Sequence, residues 1–85
     1  MTRISYAPVT NQQLRADILA VISAGEYLDK PLTFSGVHEA IVRRCGPQTD
    51  IERVHDLLLE LMDSEIIART VEDYRLVFRI VRRTI

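Results

Sequence analysis

Two histidines and one cysteine are the side chains of this sequence best suited to metal binding or nucleophilic catalysis. In principle His38, Cys45 and His55 form a Cys-His pair or a set of three metal ligands. Cys45 follows His38 by two helical turns, however, which is too far for a direct hydrogen bond. No spacing matches a structural zinc site, and the chain lacks a glycine-rich phosphate loop, a nucleophile elbow and a His-Glu-x-x-His motif. We therefore expect no enzymatic activity, no metal and no cofactor, with Cys45 as a small buried apolar residue.

Acidic and basic side chains are unevenly distributed along the chain. Residues 50–65 carry six acids and one arginine, whereas residues 66–85 carry five arginines and two acids. Three interpretations of the acidic stretch remain open: a solvated helix face, a surface that binds a basic protein partner, or a surface that excludes DNA. The contacts expected in the second interpretation are Asp56, Glu60 and Asp63. The pair Arg82-Arg83 is either a DNA-binding feature or a solubilising tail.

Length and composition indicate one soluble domain. The chain has 85 residues, of which 47% are hydrophobic and 27% charged, with a net charge of −1. These values exclude intrinsic disorder, and the near-zero net charge gives no strong electrostatic attraction to nucleic acid or to a membrane surface. A single cysteine excludes a disulfide framework. No apolar run reaches the ~18 residues of a membrane span, and no signal peptide is recognisable, so we expect a cytoplasmic protein.

The elements that must position these residues begin with two helices. Thr10 and Gln13 have the spacing of a capping box and predict a helix over 11–24, ended by Gly25 in a left-handed conformation. A connector stopped by Pro31 follows, and 32–34 can pair as a very short strand. The second helix starts near Ser35 and ends at Gly46-Pro47, because proline disfavours helix at the residue before it.

A third helix and a hairpin complete the pattern. Thr49 and Glu52 form a second capping box and predict a helix over 50–64. Its apolar residues are spaced by three and four: Ile51, Val54, Leu58, Leu61 and Met62. The period then changes to two, which predicts strands at 66–70 and 74–81 joined by a loop at 71–73. The side chains predicted to share one face of the second strand are Tyr74, Leu76, Phe78 and Ile80.

This order of elements resembles the winged helix-turn-helix superfamily. The residues that carry the resemblance are the second helix (37–44), the turn Cys45-Gly46-Pro47-Gln48, the third helix (49–62) and the passage into the wing (61–69). The resemblance implies an α+β fold, a three-helix winged helix with a C-terminal β-hairpin wing (α-β-α-α-β-β), over 10–81. Residues 1–9 are then an N-terminal arm and 82–85 a basic tail. Many family members have glycine before the wing strand, where this chain has Glu65.

The resemblance also implies a site. In DNA-binding winged helices the N-terminal part of the third helix enters the major groove, which makes Gln48, Thr49 and Arg53 the matching base-reading positions. Contacts to the DNA backbone are expected from Arg43, Arg44, Arg69, Arg75 and Arg79. The expected function is a small DNA-binding regulator of transcription, of bacterial or phage type, that binds double-stranded DNA. The alternative is a protein-protein interaction module that uses the acidic third helix. We expect a homodimer, paired through the arm at 1–9 or through the strand around 78–81.

Overall fold

The computed structural model describes residues 10–81. Three helices precede an antiparallel two-stranded hairpin, which is an α+β, winged-helix-like topology. The elements are α1 (Asn11–Tyr27), α2 (Phe34–Cys45), α3 (Ile51–Asp63), β1 (Ile67–Glu72) and β2 (Arg75–Ile80). The predicted arm at 1–9 and tail at 82–85 lie outside the described residues. Among the residues described, no helix combines the length and apolarity needed to cross a membrane.

Helix α1 begins where the capping pattern predicts and ends three residues later than expected. The Thr10 hydroxyl accepts a hydrogen bond from the Gln13 N–H (3.1 Å), as in a capping box. Gly25, predicted to be left-handed, is instead helical. A Cβ there would lie 2.9 Å from the carbonyl oxygen of Lys30, so glycine is required by close approach of the following loop. The left-handed residue is Asp29 (φ 57°), in a Schellman motif.

The short strand predicted at 32–34 does not form. Phe34 is already the first residue of α2, and only the carbonyl oxygen of Leu32 pairs with the sheet, accepting from the Phe78 N–H (2.9 Å). The next outward N–H of β2, that of Ile80, donates to the carboxylate of Glu26. A side chain thus takes the position of the missing strand. The outward N–H groups of Phe78 and Ile80 are thus bound within the chain, and pairing of 78–81 with a second copy would require their release.

The turn between α2 and α3 is tighter than the capping pattern suggests. Gly46 ends α2 with a φ of 111°, which favours glycine. The Thr49 hydroxyl donates back to the Gly46 carbonyl oxygen (2.8 Å) and is therefore not the N-cap. Asp50 caps α3 instead, its carboxylate accepting from the Glu52 N–H (3.0 Å).

Left-handed residues also shape the hairpin. Glu65 (φ 60°) follows α3 in a Schellman motif, the position at which glycine is favoured. Asp73 and Tyr74 (φ 50° and 63°) form a two-residue turn of type I′, so the loop begins two residues later than predicted and is one residue shorter. Val71 then faces Leu76 across the hairpin.

The core lies between the three helices and the near end of the hairpin. Its most deeply buried side chains are Leu14, Ile18, Ile22, Val37, Ile41, Val54, Leu58 and Ile67. Of the side chains predicted to share one face of the second strand, Phe78 joins this core, but Tyr74 and Leu76 are exposed because the hairpin extends beyond the helices. Ile51, predicted to belong to the apolar stripe of α3, is also exposed.

Candidate nucleic-acid interface

The turn before α3 carries two of the predicted base-reading side chains. The Gln48 side-chain amide donates to the Cys45 carbonyl oxygen (3.1 Å), so it is folded back over Gly46. Thr49 is half-buried, with its hydroxyl bound to the same turn. Both residues lie at the N-terminal end of α3, as the resemblance implies, and Gln48 must swing outward to meet a base edge.

Arg53, the third predicted base-reading residue, lies on the edge of α3 that faces α1. Its Nε donates to the side-chain oxygen of Asn11 (2.8 Å), and the residue is half-buried. This contact holds the guanidinium beside α1. A bidentate contact to guanine would require the guanidinium to turn from the α1 side of the helix toward the base edge.

Four of the five predicted phosphate-binding arginines are exposed, and three of these four are Arg43 in the last turn of α2, Arg69 on β1 and Arg75 at the start of β2. Within residues 10–81 none of these three makes an ion pair. Their charges are therefore available to an anionic partner, and they lie on both elements that flank α3.

The other two predicted phosphate-binding arginines are already paired. Arg44 Nε lies 3.0 Å from a carboxylate oxygen of Asp17. Arg79 binds Glu72 through two nitrogens and also approaches Glu26 (3.9 Å). The hydrogen bonds from Arg79 and Thr70 lower the pKa of Glu72 to about 2. Because carboxylates neutralise both arginines, we expect them to contribute less to binding an anion than Arg43, Arg69 and Arg75, which make no ion pair within residues 10–81.

The outward face of α3 is acidic and partly apolar. Glu52, Asp56 and Asp63 are exposed, and Leu59 lies among them. Glu60, predicted with Asp56 and Asp63 as a protein contact, lies on the α1 side instead, 2.9 Å from Arg15. The structure thus separates Glu60 from the other two acids of the predicted protein-binding surface.

A buried carboxylate that the sequence pattern did not reveal joins α1 to the end of α2. Asp17 is only 7% exposed and accepts hydrogen bonds from Gln13 (3.3 Å), Arg44 (3.0 Å) and the Cys45 thiol (3.3 Å). Burial, followed by the bond to Asp17, raises the pKa of Cys45. The available signal was an aspartate within the apolar stripe of α1. Its effect is to hold the end of α2, from which the turn with Gln48 begins.

The three residues first considered for chemistry are not brought together as a ligand set. Cys45 contacts Asp17, whereas the ring of His55 meets Phe34 edge-on at 5.5 Å between centroids. The Nε2 atom of His38 is buried and has no hydrogen-bond partner among residues 10–81. No group of three or more histidine, cysteine, aspartate or glutamate side chains within the described region is arranged to hold a metal ion.

Comparison with known proteins supports the fold. The sequence matches no protein-family model and no curated protein. Among solved structures, it is similar to the ferric uptake regulator from Francisella tularensis with iron, with a TM-score of 0.63 and 21% sequence identity. The match covers 94% of this chain but only 57% of that chain. At this identity the likeness concerns the fold alone.

Proposed function

We propose that this protein is a non-enzymatic regulator that binds double-stranded DNA. The observation that carries the proposal is the placement of three exposed, unpaired arginines on the elements flanking α3 of a winged-helix-like fold. Arg43, Arg69 and Arg75 bind phosphates, with Arg44 and Arg79 in a structural role. The residues at base edges are Gln48, Thr49 and Arg53. A cytoplasmic location and a homodimeric state belong to the same proposal.

The acidic face of α3 limits how this fold can approach DNA. Glu52, Asp56 and Asp63 would be repelled by a groove that carries one phosphate charge per ~1.7 Å of helix axis. Because Glu52 lies in the first turn of α3, even the N-terminal end of this helix can enter the major groove only when it is rotated so that the acidic face points away from the phosphates. Binding is then dominated by phosphate contacts and depends steeply on salt.

The test is fluorescence anisotropy with a random-sequence duplex at several salt concentrations. Three phosphate contacts give a slope of log K against log salt of about −2.7, equivalent to about 40-fold weaker binding at 200 mM than at 50 mM salt. Arg75→Ala reduces the slope by about 0.9 for every sequence. Arg44→Ala is the matched control and leaves the slope unchanged. Flat anisotropy at all salts would overturn the proposal.

Base reading is tested separately from phosphate binding. A duplex selected from a random pool is compared with a scrambled duplex, using the wild type and Arg53→Ala. Loss of one bidentate base contact costs about 1–3 kcal/mol of discrimination, so the preference falls about 5- to 150-fold. An unchanged preference would remove Arg53 from the base-reading set while leaving phosphate binding untouched.

A second candidate function is a protein-interaction module. The observation that favours it is that Asp56 and Asp63 are exposed and make no ion pair within residues 10–81. Glu60 is already bound to Arg15, so we propose Asp56 and Asp63 as the main acidic contacts. Charge reversal at these two positions should abolish a complex with a basic partner and leave the fold intact. A complex that survives the double reversal would contradict it.

A further inference from the structure

An apolar groove separates α3 from the face of the hairpin that turns toward it. The groove encloses about 230 Å³ and continues outward from the core. The lining residues that matter here are Phe34, His55, Leu59, Met62, Leu76 and Phe78. The edge-on contact between His55 and Phe34 forms part of its floor. Arg69, a proposed phosphate contact, also lines the groove, whereas none of the groove's apolar side chains belongs to the proposed DNA contacts.

Aliphatic side chains on both walls of this groove are exposed to solvent. Leu59 on α3 is 46% exposed and Leu76 on β2 is 52% exposed. Val71, which faces Leu76 across the hairpin, is 71% exposed and extends the same surface toward the tip. Contiguous exposed apolar surface on a soluble domain marks a binding site more often than scattered single residues do. DNA offers no apolar surface of this kind along its phosphates.

Charge beside the groove identifies the occupant. Glu52, Asp56 and Asp63 flank Leu59 on the outer side of α3, and none of them forms an ion pair within residues 10–81. At 1.5 Å per residue these acids extend about 16 Å along α3, roughly three helical turns. A partner with aliphatic anchors and a basic flank of the same length satisfies both features.

We propose that this groove binds an amphipathic, basic helix of another protein, with aliphatic side chains inserted between Leu59 and Leu76. Lysines or arginines beside those anchors then pair with the acids of α3. An amphipathic helix placed in an apolar groove is a common mode of peptide recognition, with anchors spaced by three, four and seven residues. The inference goes beyond DNA binding and rests on the second candidate function, the protein-interaction module, for which it names the binding groove and the occupant.

The experiment selects peptides from a random phage-displayed library against the immobilised protein. The enriched peptides should carry aliphatic residues at helical spacing and a net positive charge. Synthesised with a fluorescent label, they should bind Leu59→Ser or Leu76→Ser at least 10-fold more weakly than the wild type. Tyr27→Ser is the matched control, because Tyr27 is an exposed large side chain outside the groove. This variant should bind the peptides as tightly as the wild type does.

A second pair of variants tests the acidic rim. The double variant Asp56→Lys, Asp63→Lys should lose the basic peptides, whereas Glu39→Lys on the exposed side of α2 should retain them. Thermal melts confirm folding in every variant, which is expected because the substituted side chains are exposed. Failure to enrich peptides, enrichment of acidic peptides, or equal binding to Leu59→Ser and Tyr27→Ser would each overturn the inference.

Two further measurements separate this inference from its alternatives. Leu59→Ser should bind duplex DNA with the wild-type salt slope. If the wild type binds DNA but enriches no peptides, the groove inference is refuted and the DNA-binding proposal is not. Sedimentation of the wild type and Leu59→Ser tests a second copy as occupant. A wild-type dimer that the substitution converts to a monomer would assign the groove to self-association and overturn the inference.

Discussion

Removal of the buried carboxylate at Asp17 should destabilise the fold measurably. In Asp17→Ala the hydrogen bonds from Arg44, Cys45 and Gln13 are lost together. Hydrogen bonds to charged groups contribute about 1.5–3 kcal/mol, but Arg44 is half-exposed and recovers water, which reduces its share. The thiol is a weak donor, and Gln13 is exposed. We expect a loss of about 2 kcal/mol in the free energy of unfolding.

That loss is a large part of the total. A chain of this length has a free energy of unfolding of about 4–13 kcal/mol, so Asp17→Ala should lower Tm by about 8–16 °C. Asp17→Asn keeps the shape and one acceptor, and should cost about 1 kcal/mol. The free energy of unfolding of both variants is measured by urea titration, with circular dichroism as the probe. A double-mutant cycle with Arg44→Ala isolates the coupling between the two side chains.

The matched comparison is the surface ion pair of Arg15 and Glu60, whose side chains are 37% and 51% exposed. Glu60→Gln should change the free energy of unfolding by no more than about 0.5 kcal/mol, because exposed pairs are weak. The reasoning is refuted if Asp17→Ala and Glu60→Gln have equal effects. It is also refuted if the cycle between Asp17 and Arg44 shows no coupling.

Three other predictions concern pH and backbone conformation. The pKa of Glu72 is lowered from 4.5 to about 2 in the folded state. The stabilisation that its ionised carboxylate gives the folded protein is therefore present above pH 4.5 and is lost as the pH falls toward 2. Urea midpoints of the wild type and Glu72→Gln should therefore converge at low pH, and a constant difference would contradict this. Gly25→Ala should lower the free energy of unfolding by about 1–3 kcal/mol, because the added Cβ overpacks against a backbone carbonyl. Gly36→Ala should be tolerated, because its Cβ meets only side-chain atoms at 3.3 Å or more. Equal melting temperatures of the two variants would contradict this. Glu65→Gly should gain about 0.5–1 kcal/mol in urea unfolding by relieving a left-handed φ, and a loss would show that contacts of Glu65 outweigh that strain.

Local chemistry explains which parts of the fold could be predicted. The cap at Thr10 and the turn at Gly46 depend on residues within three positions of each other, and both predictions agree with the structure. Gly25 was misassigned because its requirement arises from the approach of a later loop rather than from its own helix end. The strand at 32–34 failed for a similar reason, since Glu26 satisfies the N–H that a strand would have bound.

The candidate site was less predictable because charge pairing is a tertiary property. The sequence does not distinguish Arg75 from Arg79, which lie on the same strand. Folding leaves Arg75 exposed and brings Arg79 between Glu72 and Glu26, the latter from α1. Leu76 likewise has the same place in the two-residue alternation of the strand as the buried Phe78, although it is exposed. Its exposure depends on how far the hairpin extends past the helices, which no local pattern encodes.

The bond between Glu26 and Ile80 has a consequence for the order of folding. It joins residues 54 positions apart, linking the first helix to the last strand. Such non-local closure is slow compared with helix formation, because the loop entropy must be lost before the contact forms. The three helices are therefore expected to assemble first and the hairpin to dock late. During synthesis, Glu26 at the end of α1 can form this bond only after β2 has left the ribosome. Amide exchange in the hairpin should then be faster than in α1 and α3, as for a separately opening unit.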